Sequence, residues 1–135
     1  MNNKIVFCGG DNILFWFGAN ALALKNRIYI KESYWKRLIP HLQQAIVIHE
    51  MTHILQQDKG FLWWLIKYVF SKKFRFQEEV QAYGAELSYR LSQGEMKMRL
   101  MFAFADEMSG RTYFNMTTFD KAYEALEEYL GEENG

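Results

Sequence analysis

The chain is poor in the residues that staple or interrupt a fold. It has a single cysteine, Cys8, so no disulfide can form within it, which fits a reducing compartment. It has a single proline, Pro40, which suits the first position of a helix, where its missing N–H costs nothing. No sign of charge is in excess: Lys plus Arg and Asp plus Glu both number 16. Global charge therefore argues against a nucleic-acid partner. No long apolar run is present. The longest, FLWWLIKYVF at 61–70, is broken by Lys67 and falls short of the roughly 20 residues that cross a bilayer. The start, MNNKIVFCGGDN, has one lysine and an apolar run that stops at Gly9-Gly10, so no secretory signal is expected. These absences point to the cytoplasm. Histidine is scarce too, at three residues.

What the chain has in quantity is apolar and aromatic surface. Half its 135 residues are hydrophobic and 17% aromatic, which excludes a disordered chain and suffices for one domain over 1–135. Lys4–Cys8 reads as a short strand and Gly9–Asn12 as a turn, while 13–24 is apolar and ambiguous. Ala21–Leu24 and Ile28–Lys31 read as two strands around a tight connection at Asn26. The alternation of Ile28 and Ile30 with Tyr29 and Lys31 suggests a half-buried, edge-type strand. Helices follow. Ser33 is placed to cap the first; a longer one runs from Pro40 to about Asp58 and is closed by Gly60. Further helices are expected at 61–70 (or a lid-like insertion there), 76–92 with Gly94 as stop, and 95–108. A last one is capped by Thr117 or Thr118 and ends at Leu130 before Gly131. The order, strands first and helices after, gives an α+β class.

Within the long helix the stretch IVIHEMTHILQQ places His49 and His53 four positions apart, on one helix face and one turn from each other. Neutral imidazoles so arranged can aim at one metal ion, and Glu50 between them can reach a metal-bound water without being a ligand. A third ligand is required. His41 lies two turns before His49, about 12 Å along the axis, too far to share the ion from the same helix. In FQEEVQAYGAE, Glu79 leads a stripe with Ala82, Tyr83, Glu86 and Arg90. Glu79 is the favoured ligand. Ala82 and Gly84 are small enough to let this helix approach the first. Glu86 is placed to accept a ring N–H from a ligand histidine, and Glu78 reads as part of a solvated face.

The pattern H49-E50-M51-T52-H53 followed by E79-V80-Q81-A82 resembles the gluzincin group of zinc metallopeptidases, most closely their compact single-domain bacterial and phage-type members. The likeness covers roughly residues 26–90. It implies a zincin-like core with one Zn²⁺ per chain held by His49, His53 and Glu79. It also implies hydrolysis of peptide bonds through a metal-activated water, with Glu50 as general base and a peptide or protein as substrate. An oxyanion stabiliser is expected as well, with Tyr83, His41, Arg111 and Tyr113 as candidates. The strand at 27–31 would edge the cleft and accept an extended substrate.

The insertion FLWWLIKYVFSKKFRF has three readings: a core helix with a basic end, a hydrophobic substrate wall, or an interfacial segment making peripheral membrane contact through residues 61–75. The acidic last helix, with Glu124, Glu127, Glu128, Glu132 and Glu133, reads as a solvated face or a partner surface. Two other function classes stand beside the peptidase: a non-hydrolytic metal-binding module, and a membrane-peripheral interaction protein. The presence of Glu50 favours the peptidase, since a binding site needs ligands but no base.

Overall fold

The computed structural model describes residues 4–9 and 19–134; the Gly9–Asn12 turn beyond Gly9, and the first half of the ambiguous 13–24 stretch (13–18), lie outside them. The class is α+β. Three short strands, β1 (Ile5–Cys8), β2 (Ala21–Leu24) and β3 (Arg27–Lys31), precede α1 (Glu32–Lys36), α2 (Pro40–Gln56), α3 (Phe61–Phe70), α4 (Lys72–Ser92), α5 (Lys97–Met108) and α6 (Phe119–Asn134).

The sheet order is β1-β3-β2, with β3 parallel to β1 and antiparallel to β2. β3 is therefore the central strand, not an edge. Its alternation reports something else: Ile28 and Ile30 are buried on one face of the sheet, and Tyr29 and Lys31 are half-buried on the other. Among the described residues β1 and β2 are the edge strands, each paired only with β3. The β2–β3 turn is two residues, Lys25 and Asn26, both with positive φ, the form that matches the twist of a hairpin.

α2 lies against the sheet. Ile46, Val47, Met51 and Ile54 pack with Ala23, Ile28 and Ile30, leaving the His49 and His53 side to meet α4. Pro40 opens α2 at its first turn. After Gln56 a single 3₁₀ turn, Gln57–Lys59, leads to Gly60, whose φ of 141° only glycine adopts without strain, and α3 leaves in a new direction. The buried Gln57 amide ties this corner to β2: its Nε2 donates to Ala23 O at 2.7 Å and its Oε1 accepts from Lys25 N at 3.1 Å.

α4 begins earlier than the sequence suggests. Ser71 Oγ accepts from Phe74 N at 3.1 Å, so one residue both ends α3 and caps a helix of 21 residues. Ser33 has no such role; α1 starts at Glu32 with Lys31 before it and no side-chain cap. Thr118 does cap α6, accepting from Lys121 N at 3.3 Å, but α6 runs through Gly131 to Asn134.

A second core joins α4, α5 and α6 through Leu87, Leu100, Met101, Ala105, Met108, Ala122 and Leu126. Complete burial of each large aliphatic side chain here contributes about 1.5–3 kcal/mol. Gly84 belongs to this side. A Cβ at 84 would sit 2.6 Å from the Tyr129 ring of α6, so the glycine serves the α4–α6 contact, not the approach of α4 to α2. Ala82 alone serves that approach, at 0% exposure.

Gly84→Ala tests this contact. Alanine normally stabilises a helix by about 1 kcal/mol over glycine. Here the clash with Tyr129 should reverse the sign, with a loss of about 1–3 kcal/mol in urea unfolding. Tyr129→Ala in the same chain should restore the normal preference.

Candidate metal centre

His49 and His53 project from one face of α2 toward α4, and Glu79 projects back between them. All three are buried, Glu79 to 1% exposure. One ligand atom from each lies within 4.8 Å of the others. His53 Nε2 is 2.9 Å from Glu79 Oε2, and His49 Nε2 is 3.3 Å from Glu79 Oε1.

The outer nitrogens fix what the inner ones offer. His49 Nδ1 lies 3.0 Å from Glu86 Oε1, and His53 Nδ1 lies 2.8 Å from Gln56 Oε1. The Gln56 amide is oriented by its Nε2, which donates to Glu78 O at 3.0 Å. Both Nδ1 atoms therefore carry the proton and donate. In neutral imidazoles both Nε2 atoms are then bare lone pairs facing a carboxylate. Three acceptors converge with no donor among them, and Glu79 Oε1 is buried without any hydrogen bond. A buried oxygen with no partner costs about 1–3 kcal/mol, more if charged. Only a cation, either protons on the imidazoles or a metal ion, reconciles the group. The residues thus form a cluster able to hold a metal ion.

Around it stand residues of three other elements. Tyr68, on α3, donates to Glu79 Oε2 at 2.5 Å, and its ring stacks on Trp64. Trp64 Nε1 donates to Glu78 Oε1 at 3.0 Å, so Glu78 is half-buried and bonded rather than solvated. Tyr83 lies edge-on to His49, centroids 4.5 Å apart, and its hydroxyl is 2.9 Å from that of Tyr113. Burial first, and the Glu79 charge after it, push the Tyr68, Tyr83 and Tyr113 phenols well above their ordinary value; all three stay protonated and able to donate. Glu86 continues outward to Arg90 at 3.1 Å, Arg90 to Glu95 at 2.7 Å, and Glu95 to His41 at 3.2 Å. Of the four oxyanion candidates, Tyr83 and Tyr113 are at the site. His41 sits at the far end of this chain of charges, and Arg111 is exposed and lines neither cavity beside the site.

Glu50 follows His49 on α2 and is buried, yet belongs to neither the three-atom group nor its hydrogen bonds. Two cavities meet at His49 and Glu50. One, of about 330 Å³, is lined among the described residues by Tyr34, Tyr83, Glu86, Arg90 and Phe104. The other, of about 520 Å³, is apolar, lined by Leu22 and Leu24 of β2 and by Trp64, Leu65 and Tyr68 of α3. Tyr113 reaches both. β2, not β3, is the strand along the cleft. Burial pushes the Glu50 carboxyl up, with the histidines opposing.

Tyr68 and Arg75 are contributors that sequence patterning does not single out, whereas Gln56 lies on the His49–His53 face by helical spacing. In sequence Arg75 falls with Lys72 and Lys73 in the basic end of the insertion. In the fold it is buried: Nη1 donates to Tyr68 O and Val69 O at 2.6 and 3.1 Å, and Nε to Tyr113 O at 3.3 Å. A cation there satisfies the last carbonyls of α3 and complements its dipole.

No family model matches the chain, and comparisons with curated proteins and with solved structures return no match.

Two outcomes follow. Burial would lower the His49 and His53 values, but carboxylates outweigh it and raise both above 6.5: Glu79 and Glu86 for His49, and Glu79 for His53. Burial would likewise raise Glu79, but the two imidazoles hold it well below 4.5. In metal-free protein the histidine contribution is complete below 6.5 and is lost as pH rises through the raised values; the Glu79 contribution is present above 4.5 and lost as pH falls. Chelator-treated protein should therefore melt highest between about pH 5 and 6.5. Metal-loaded protein should shift the optimum upward, because the ion and the protons compete for the same Nε2 atoms. Coincident optima would contradict the shared site. Ala82→Leu should lower stability by about 1–3 kcal/mol and weaken metal binding in chelator competition, although it removes no ligand. Gln77→Leu, at an exposed position of α4, is the control.

Proposed function

We propose that the protein is a zinc-dependent metallopeptidase of the gluzincin type. His49, His53 and Glu79 would hold the ion, and Glu50 would act as general base. The observation that carries this reading is the convergence of two Nε2 lone pairs on a buried carboxylate, with both Nδ1 atoms already committed to Glu86 and Gln56. Two imidazoles and one carboxylate suit zinc and leave a coordination position open. A bound zinc ion would supply Lewis acidity, lowering the pKa of a water and polarising a carbonyl.

The chain's own residues account for the rest. Glu50 stands where the two cavities meet, and its raised carboxyl is suited to taking a proton from water and returning it to the departing amine. Tyr113, protonated and common to both cavities, is placed to donate to the oxyanion, with Tyr83 orienting its hydroxyl. Glu86 and Gln56 hold the two rings in one tautomer. The free side of β2 offers main-chain groups to an extended peptide, and the apolar cavity would receive one of its side chains.

Protein purified without added metal should contain one zinc ion per chain, and Glu79→Ala should lose it. Glu50→Gln should keep both metal and fold while hydrolysis of a peptide library falls by about 10²–10⁴. A metal-loaded wild type that cleaves nothing in the library would remove the peptidase and leave the metal centre standing.

A further inference from the structure

α3 has two faces. Trp64, Leu65 and Tyr68 turn inward and line the apolar cavity. On the other side Leu62, Trp63, Ile66 and Phe70 are each more than half exposed, Phe70 to 83%, and Val69, also more than half exposed, stands at the border and touches the cavity as well. At about 100° per residue these five fall within an arc of about 120°. Single exposed apolar residues are ordinary, but a contiguous stripe of five is not. Leu55, at the end of α2, is also exposed.

The charges within this stretch of sequence are of one sign, with the exposed Asp58 just before it. From Lys59 to Gln77 the sequence has five basic residues and no acidic one, in a chain whose net charge is zero. Arg75 is turned inward; Lys59, Lys67, Lys72 and Lys73 are exposed. Lys67 lies over the Trp63 ring, 4.0 Å from its centroid, so its stem flanks the stripe while its ammonium stays at the rim.

We propose that this face of α3 docks the protein on an anionic lipid bilayer. The helix would lie in the interface with its apolar arc sunk about 5–10 Å, Trp63 at the headgroup level and the lysines against the phosphates. A second copy of the chain fits less well. Two copies meeting through the same face would bring their lysines together, and the acidic side of α6 exposes polar residues with no apolar stripe to match. Among the described residues no helix is long and apolar enough to cross a membrane; the contact is peripheral. It does not depend on hydrolytic activity or on the metal.

Sedimentation of the full chain with vesicles tests it. Binding to equal parts phosphatidylglycerol and phosphatidylcholine should exceed binding to phosphatidylcholine alone, and should weaken with salt. Each lysine near the surface is worth roughly fivefold in affinity, so Lys67→Glu with Lys72→Glu and Lys73→Glu should lose at least about a hundredfold. Leu62→Ser with Ile66→Ser and Phe70→Ser should abolish binding to both compositions. All six positions are exposed on the surface of the helices, and unchanged circular dichroism and melting would show that the fold is kept. Failure of the wild type to sediment with anionic vesicles overturns the proposal. So does equal binding by the serine variant. So does a wild-type dimer that the serine variant makes monomeric while neither form binds lipid.

Discussion

The Nε2 atoms of His49 and His53 and the carboxylate of Glu79 face one another as buried groups at the wall of the apolar cavity. Acceptors with no donor between them repel, and in a protein interior the repulsion is poorly screened. The group persists only if a cation joins it, and only if two helices are held close enough for their side chains to meet. Much of the remaining architecture answers that second condition. The sheet supports α2 from behind through Ile28, Ile30 and Ile54. Ala82 admits α4 from the front. Glu86 and Gln56 fix the rings so that the lone pairs, not the N–H groups, point inward.

α3 is bound to the same constraint from the side. Tyr68 donates to Glu79, and the carbonyls of Tyr68 and Val69 are held by the buried Arg75 of α4. The hydroxyl that steadies the third ligand thus depends on where α3 ends, and α3 ends where Ser71 starts the ligand helix. Site geometry and chain path are set by one corner.

The two histidines were legible because helical spacing puts them on one face, Glu79 because two histidines need a third ligand downstream, and Glu86 because it follows Glu79 by two turns. The alternation in β3 was legible as a buried face, but not as a central position: whether a strand has one neighbour or two depends on pairing with β1, a distant segment. Tyr68 was hidden by its surroundings. In FLWWLIKYVF almost every position is apolar, so no periodicity marks which aromatic turns inward. Gln56 and Gln57 are adjacent and identical in type, yet one orients a histidine and the other holds β2; helical spacing puts Gln56 on the histidine face, but only the fold supplies the partners of Gln57. Arg75 looked like surface because basic residues precede it, whereas the unpaired carbonyls at the end of α3 draw it in.

The Tyr129 ring lies flat against the α4 backbone at Gly84, on the side away from the ligands. α4 is thereby gripped between two neighbours, with the histidine helix on one flank and the last helix on the other. A lever held at only one flank can tilt; held at both, it cannot. The terminal helix contributes no atom to the cluster, but it is the backstop against which Glu79 is pressed into place, so shortening the chain from that end would loosen the ligand before it loosened the sheet.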